Sequence, residues 1–200
     1  VLLATPRRSM GEADLARLLE AYAELLRRSG YSPRARVTDL DGAGMIRYGE
    51  SLGVLKREAH ELGDILRMSD QTAILSSYFR NNALHLLLMP SLLACAFLNN
   101  ARVRRADLLR LAWRVYPYVA DEYFLPWRED ELPGVVARQL DQMRGLGLLE
   151  ASDDLGEWRR PPAESREAVE LSVLARASVP IIERYYLAVS LLLKAGSGAL

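Results

Sequence analysis

The chain has 200 residues, half of them hydrophobic, and its 26 basic and 26 acidic side chains balance to a formal net charge of zero. That length suits one domain of ordinary size or a domain with an appendage, and the apolar half supplies a sizeable core. A neutral chain has no global field favouring nucleic acid or anionic lipid, and a single cysteine, Cys95, excludes both a disulfide framework and a cysteine metal knuckle.

Ser9-Met10-Gly11-Glu12 has capping-box spacing, and Leu15, Leu18, Leu19, Tyr22, Leu25 and Leu26 then repeat at helical period. Ser29-Gly30 ends that helix, and a loop with Ser32-Pro33 follows. Thr38 or Asp39 caps a weaker helix, 40–56, diluted by Gly42, Gly44 and Gly49. Residues 61–68 read as a short extended segment before a Ser69 cap. A central helix then runs from Asp70, kinks at Pro90 and ends at Asn99-Asn100. Its apolar run, Ala83 to Leu98, is interrupted by His85 and is shorter than the roughly 20 residues a membrane span needs. It reads as a core helix, with Cys95 a small buried hydrophobe.

A fourth helix is expected over 104–124 with a kink at Pro117, and Pro126 breaks it. Asp130 caps a fifth helix, Pro133 sits in its first turn, and Gly145 and Gly147 end it. Residues 147–160 read as a β-hairpin with Ser152-Asp153-Asp154 as its turn and Trp158 on the returning strand. A last helix, 164–194, carries Pro180 in its middle, and Gly196-Ser197-Gly198 follows. No internal repeat is evident. The expected fold is mainly α: a helical bundle with a winged-helix-like helix-helix-hairpin unit. It divides into a helical region at 1–103, that unit at 104–160, and a terminal helix at 161–200 packing on both.

Three ordered motifs carry a resemblance. They are Tyr78-Phe79-Arg80-Asn81-Asn82 with His85 and Met89-Pro90-Ser91-Leu92; Val115-Tyr116-Pro117 with Phe124-Leu125 and Trp127 to Pro133; and Arg176, Tyr185-Tyr186 and Leu191-Leu192-Leu193. Together they resemble the C-terminal half of the membrane-bound bacterial glycerol-3-phosphate acyltransferases. The similarity covers nearly the whole chain and is weakest over 30–60. The resemblance implies a parent enzyme that moves an acyl group from acyl-CoA or acyl carrier protein to glycerol-3-phosphate, at the cytoplasmic face of the inner membrane. Such enzymes use an H-x4-D motif, with His as general base and Asp orienting its imidazole. That motif is missing. His60 is followed by Asp64 at H-x3-D spacing, and His85 by Pro90 five positions on. The chain therefore reads as a non-catalytic C-terminal region of a longer enzyme, inactive alone and without a cofactor. Its expected partners are the N-terminal acyltransferase domain, a membrane surface and acyl carrier protein.

Tyr78, Asn81, Asn82 and His85 fall at i, i+3, i+4 and i+7, one polar stripe on a helix. Buried unpaired amides cost about 1–3 kcal/mol each, so the stripe predicts an internal network or an interface. Arg102, Arg104 and Arg105 are placed at the start of the fourth helix, where cations oppose the macrodipole, and Arg159-Arg160 on the hairpin. Both clusters are candidates for contact with an anion or a partner. A winged helix invites comparison with DNA-binding modules, the alternative being an autonomous binding module of that type. Residues 129–144, however, hold four acids against Arg138 and Arg144, which argues against nucleic acid.

Overall fold

The computed structural model describes residues 1–29, 34–152 and 156–195. The Gly30 stop, the Ser32-Pro33 loop, the Asp153-Asp154 part of the hairpin turn and Gly196-Ser197-Gly198 lie outside them. Among the described residues the fold is mainly α, with eight α-helices and two small three-stranded sheets.

The chain first forms β1 (Ser9–Gly11), then α1 (Glu12–Ser29), α2 (Gly42–Ser51), β2 (Lys56–Glu58) and β3 (Ile65–Arg67). The expected capping box at Ser9 is instead a strand. The Glu12 N–H bonds the Asp64 carbonyl at 2.9 Å, so a neighbouring loop satisfies what a cap would have. Asp41, rather than Thr38 or Asp39, caps α2 by accepting the Gly44 N–H at 2.7 Å, and Lys56 leaves the helix for the sheet. His60 and Asp64 do not share a helix face. His60 Nδ1 accepts the Leu62 N–H within a turn, while Asp64 pairs with Arg57 at 2.9 Å.

The second half repeats this order: β4 (Arg102–Arg104), α5 (Arg105–Val119), α6 (Leu132–Gly145), β5 (Glu150–Ser152) and β6 (Glu157–Arg159). Both sheets are antiparallel, and in both the last strand lies in the middle, in the orders β1-β3-β2 and β4-β6-β5. Their registers match too: Leu66 faces Met10 and Arg57, as Trp158 faces Val103 and Ala151. The chain is therefore a repeat of topology that leaves no visible repeat in sequence. Only buried positions must agree between the halves, and apolar residues exchange freely there. Leu15 and Leu108 stand three residues into their helices, and both are buried.

The expected hairpin follows α6, and Leu148, Leu149 and Trp158 join a core with Leu108, Leu140 and Met143. Gly147, at φ +71°, ends α6 by letting the Leu148 N–H return to the Met143 carbonyl at 2.9 Å. At the other end, a 3-10 turn at Glu129–Glu131 leads into α6. It is held by Glu131 accepting the Arg128 N–H at 2.8 Å, so Asp130 is not the cap. α5 stops at Val119, and Phe124 then sits at φ 51°, an unusual conformation for an aromatic residue.

Each half continues into a helix pair: α3 (Asp70–Ala83) with α4 (Leu88–Cys95), and α7 (Arg166–Ala175) with α8 (Val179–Ala195). Both pairs were expected as single helices, the first kinked at Pro90 and the second carrying Pro180 in its middle. In each, the break lies before the proline, and Pro90 and Pro180 occupy the first turn of a new helix. There a missing N–H costs nothing, whereas one long helix would drive each ring against the carbonyl four residues back. α4 is buried along its length and packs on α7. Ser91 locks this contact. Its hydroxyl donates to the Leu174 carbonyl at 2.7 Å and accepts the Ser178 N–H at 2.9 Å. Cys95, half-buried beside Ser178, has its thiol pKa pushed up by burial. Ser91→Ala should remove this link, leaving the Ser178 N–H only its 3.2 Å bond to the Ala175 carbonyl, and cost about 1–1.5 kcal/mol in urea unfolding. A loss below about half a kcal/mol would show that α4 and α7 do not depend on this link.

Candidate functional site

Most of the stripe ends up on the surface. Tyr78, Asn81 and Asn82 on α3 are exposed, and His85 is half-buried in the 3-10 turn Leu84–Leu86. The helix ends before His85, so the stripe breaks where the pattern required it to continue. Asn81 Oδ1 accepts from Arg80 at 3.3 Å, a neighbour one residue away.

Asn81, Asn82 and His85 instead form one wall of a groove of about 370 Å³, with Glu122, Tyr123 and Phe124 after α5 and Arg184 of α8 opposite. Three elements far apart in sequence meet here. Arg184 pairs with Glu122 and donates to the Tyr123 hydroxyl at 3.1 Å. Tyr185 donates to Glu122 and lies 2.7 Å from the Tyr118 carbonyl. Burial pushes the Glu122 pKa up, but the Tyr185 hydroxyl and Arg184 outweigh it and leave this carboxyl below its ordinary value. Tyr185 is pushed up to about 12 by burial and by its bond to that carboxylate. At neutral pH the groove is thus a neutralised ion pair beside two amides and an imidazole. Its lining holds no serine, threonine or cysteine. Such a surface hydrogen-bonds a polar partner. Glu122, Arg184 and Tyr185 carry no local sequence signal, because 62 residues separate the ion pair and no spacing rule reaches that far.

The arginine clusters also move. Arg102 and Arg104 lie in β4, not in a helix, and Arg105 opens α5. Arg104 is tied to Asp107 at 2.9 Å. In the sheet register Arg102 stands directly opposite Arg159 on β6, so the two clusters read separately in sequence share one sheet. Like charges facing across strands are unfavourable unless countered. On the far side of Arg159 stands Glu150, and Arg159 also donates to Ser152 Oγ at 3.2 Å. Arg160, next in the chain, is half-buried with a buried Nε that has no hydrogen-bond partner.

Apolar side chains stay exposed around the groove and beyond it: Phe124 on its rim, Ile74, Leu75 and Phe79 on α3, and Tyr186, Leu187, Leu191, Leu192 and Leu193 on α8. No helix among the described residues is long and apolar enough to cross a membrane. No cluster of three or more His, Cys, Asp or Glu residues among them is placed to hold a metal ion.

Comparison with known proteins agrees along the full length. The chain is 41% identical over 199 residues to a glycerol-3-phosphate acyltransferase of Pseudomonas aeruginosa (strain UCBPP-PA14), covering all of this chain and 24% of that protein. It is 43% identical over 201 residues to one of Xanthomonas axonopodis pv. citri (strain 306), covering all of this chain and 23% of that protein. A third, from Pseudomonas fluorescens (strain ATCC BAA-477), is 37% identical over 199 residues, with 100% and 24% covered. The chain thus spans about a quarter of the length of these relatives. No solved structure matches significantly. The family model for the glycerol-3-phosphate acyltransferase C-terminal region matches residues 1–200, and the chain belongs to that family.

Proposed function

We propose that this chain is the non-catalytic C-terminal region of a glycerol-3-phosphate 1-O-acyltransferase, and that it supports the catalytic part of the same polypeptide. The parent would transfer an acyl group from acyl-CoA or acyl carrier protein to glycerol-3-phosphate, giving lysophosphatidic acid. The observation that carries this reading is the apolar surface left exposed on α3 and α8, in patches a self-contained soluble domain rarely shows. The relatives supply the reason, since about three-quarters of their length lies outside the match. The absent H-x4-D motif agrees with a supporting role.

Within this reading the stripe of Tyr78, Asn81 and Asn82, with His85 and the Glu122–Arg184 pair, is a contact surface for the catalytic part. Arg102, Arg159 and Arg160 offer positive charge to an anionic partner, whether lipid phosphate or the acidic carrier protein. The exposed apolar face of α8 would help seat the parent on the inner membrane surface.

The test is acyl transfer from radiolabelled acyl-CoA to glycerol-3-phosphate. The 200-residue chain should turn over at background, while the full-length protein is active and loses activity when this region is deleted. Turnover by the chain alone that His85→Ala abolishes would overturn the proposal and make the groove an active site.

A further inference from the structure

The two halves have the same topology, yet one helix contact is complete in the second half and bare in the first. α7 and α3 begin alike: Ser165 accepts the Ala168 N–H at 3.1 Å, and Ser69 the Thr72 N–H at 3.2 Å. Counting from these caps, Glu170, Leu171, Leu174 and Ala175 of α7 correspond to Ile74, Leu75, Tyr78 and Phe79 of α3. The α7 set is buried: Glu170, at 6% exposure, pairs with Arg17 of α1, Leu171 is at 3%, and α4 packs on α7, with Ser91 bonding the Leu174 and Ala175 carbonyls. The α3 set is exposed at 76%, 59%, 67% and 59%. One structural position is a helix seat in one half and an open apolar face in the other.

In chain order α8 is the counterpart of α4 within the second half, and the helix that would stand before β1 as α4 stands before β4 can be placed. α4 begins 14 positions before β4, from Leu88 to Arg102. The same spacing before β1, which starts at Ser9, places that helix's start about six residues upstream of position 1 and its end near the 3-10 turn Leu2–Ala4. That turn already lies where the end of such a helix would be. Leu2 is buried with Leu15, Ile46 and Leu66, the sheet-and-helix core of the first half. Leu2 and Leu3 border a largely apolar cavity of about 320 Å³ together with Ser76, Arg80 and Ala83 of α3.

We propose that the face of α3 formed by Ile74, Leu75, Tyr78 and Phe79 is the seat of an apolar helix, standing before β1 as α4 stands before β4, contributed by the residues directly preceding position 1 in the full-length protein. This rests on the reading above that the chain is part of a longer enzyme, and it deepens it by naming the first contact. The occupant is apolar because the seat is: α4 itself is Leu-Met-Pro-Ser-Leu-Leu-Ala-Cys, without a charge. A charged helix laid over Leu75 and Phe79 would be desolvated without a partner. The helix would cover α3 as α4 covers α7.

The experiment compares thiol labelling of Leu75→Cys and, separately, Phe79→Cys in three proteins: this chain, a version extended about 20 residues upstream, and the full-length enzyme. Mass spectrometry follows the α3 peptide, and Leu62→Cys, a fully open site at 93% exposure, serves as the reference. Both thiols should label fast in the chain, and about tenfold or more slowly in the extended and full-length proteins, with Leu62→Cys unchanged. Equal labelling in all three overturns the proposal. Protection in the full-length protein but not in the extended one also overturns it, because another part of the polypeptide is then the cover. Protection that appears only with phospholipid vesicles overturns it in favour of a lipid surface. Any of these leaves the supporting role standing, since that is decided by acyl transfer and not by labelling.

Discussion

Gly42→Ala should destabilise the protein by about 3 kcal/mol, the upper end of what overpacking a tight contact costs. α1 and α2 cross at this residue. A Cβ built on Gly42 would lie 2.3 Å from the Ala16 carbonyl oxygen and 2.6 Å from its carbon. Those are backbone atoms inside α1, so no rotamer change relieves the clash and the two helices must separate. Separation also loosens the bond from the Gly42 N–H to Glu20 Oε1, 2.7 Å long. For a chain of this size the loss corresponds to a fall in Tm of roughly 6–12 °C. Gly134→Ala is the matched control: its nearest neighbour is a flexible arginine nitrogen at 3.6 Å, and α6 gains an alanine. A Gly42→Ala protein within half a kcal/mol of the parent, by urea unfolding, would mean that α1 and α2 do not touch there.

Trp158→Ala should cost about 2–4 kcal/mol, as for other large core truncations. Trp158 sits on the central strand of its sheet, 8% exposed, opposite Val103 and Ala151, and packs into the main core with the residues of α5 and α6. Removing the indole leaves a void that neither a three-residue strand nor the helices behind it can close without moving. The measurement is again urea unfolding, where the midpoint should fall while the slope m is kept. A change below about half a kcal/mol would mean that the indole faces solvent, and the hairpin would then not be seated on α5 and α6.

Helical periodicity, the Ser69 cap and the hairpin carrying Trp158 were legible because each depends on neighbours within a few residues. The helix starting at Glu12 was visible from its leucines, but its first turn was misread, since the Ser9 to Glu12 pattern serves a capping box and a strand equally well. Pro90 is legible as a kink, whereas the pattern runs one helix straight through Pro180. Whether a proline kinks one helix or opens another depends on what the chain does four residues earlier, and for Pro90 that is settled by α4 burying itself against α7 and the Ser91 link. The glycine at 42 looked like a weakness in a helix, and proved to be a contact surface that only the position of Ala16 explains.

The candidate site shows the same division. The sequence by itself determined that Tyr78, Asn81, Asn82 and His85 form a polar stripe beside apolar residues, that no H-x4-D motif is present, and that the motif order matches one family; these are matters of residue type and spacing. Only the tertiary structure decided that Asn81, Asn82 and His85 line a groove completed by Glu122 and Arg184, and that Arg102 and Arg159 meet across a sheet. It alone revealed that the two halves share one topology, with α4 filling a seat that stands open on α3. The physical reason is that local pattern encodes which face of an element is apolar, whereas burial depends on which distant element arrives to cover it.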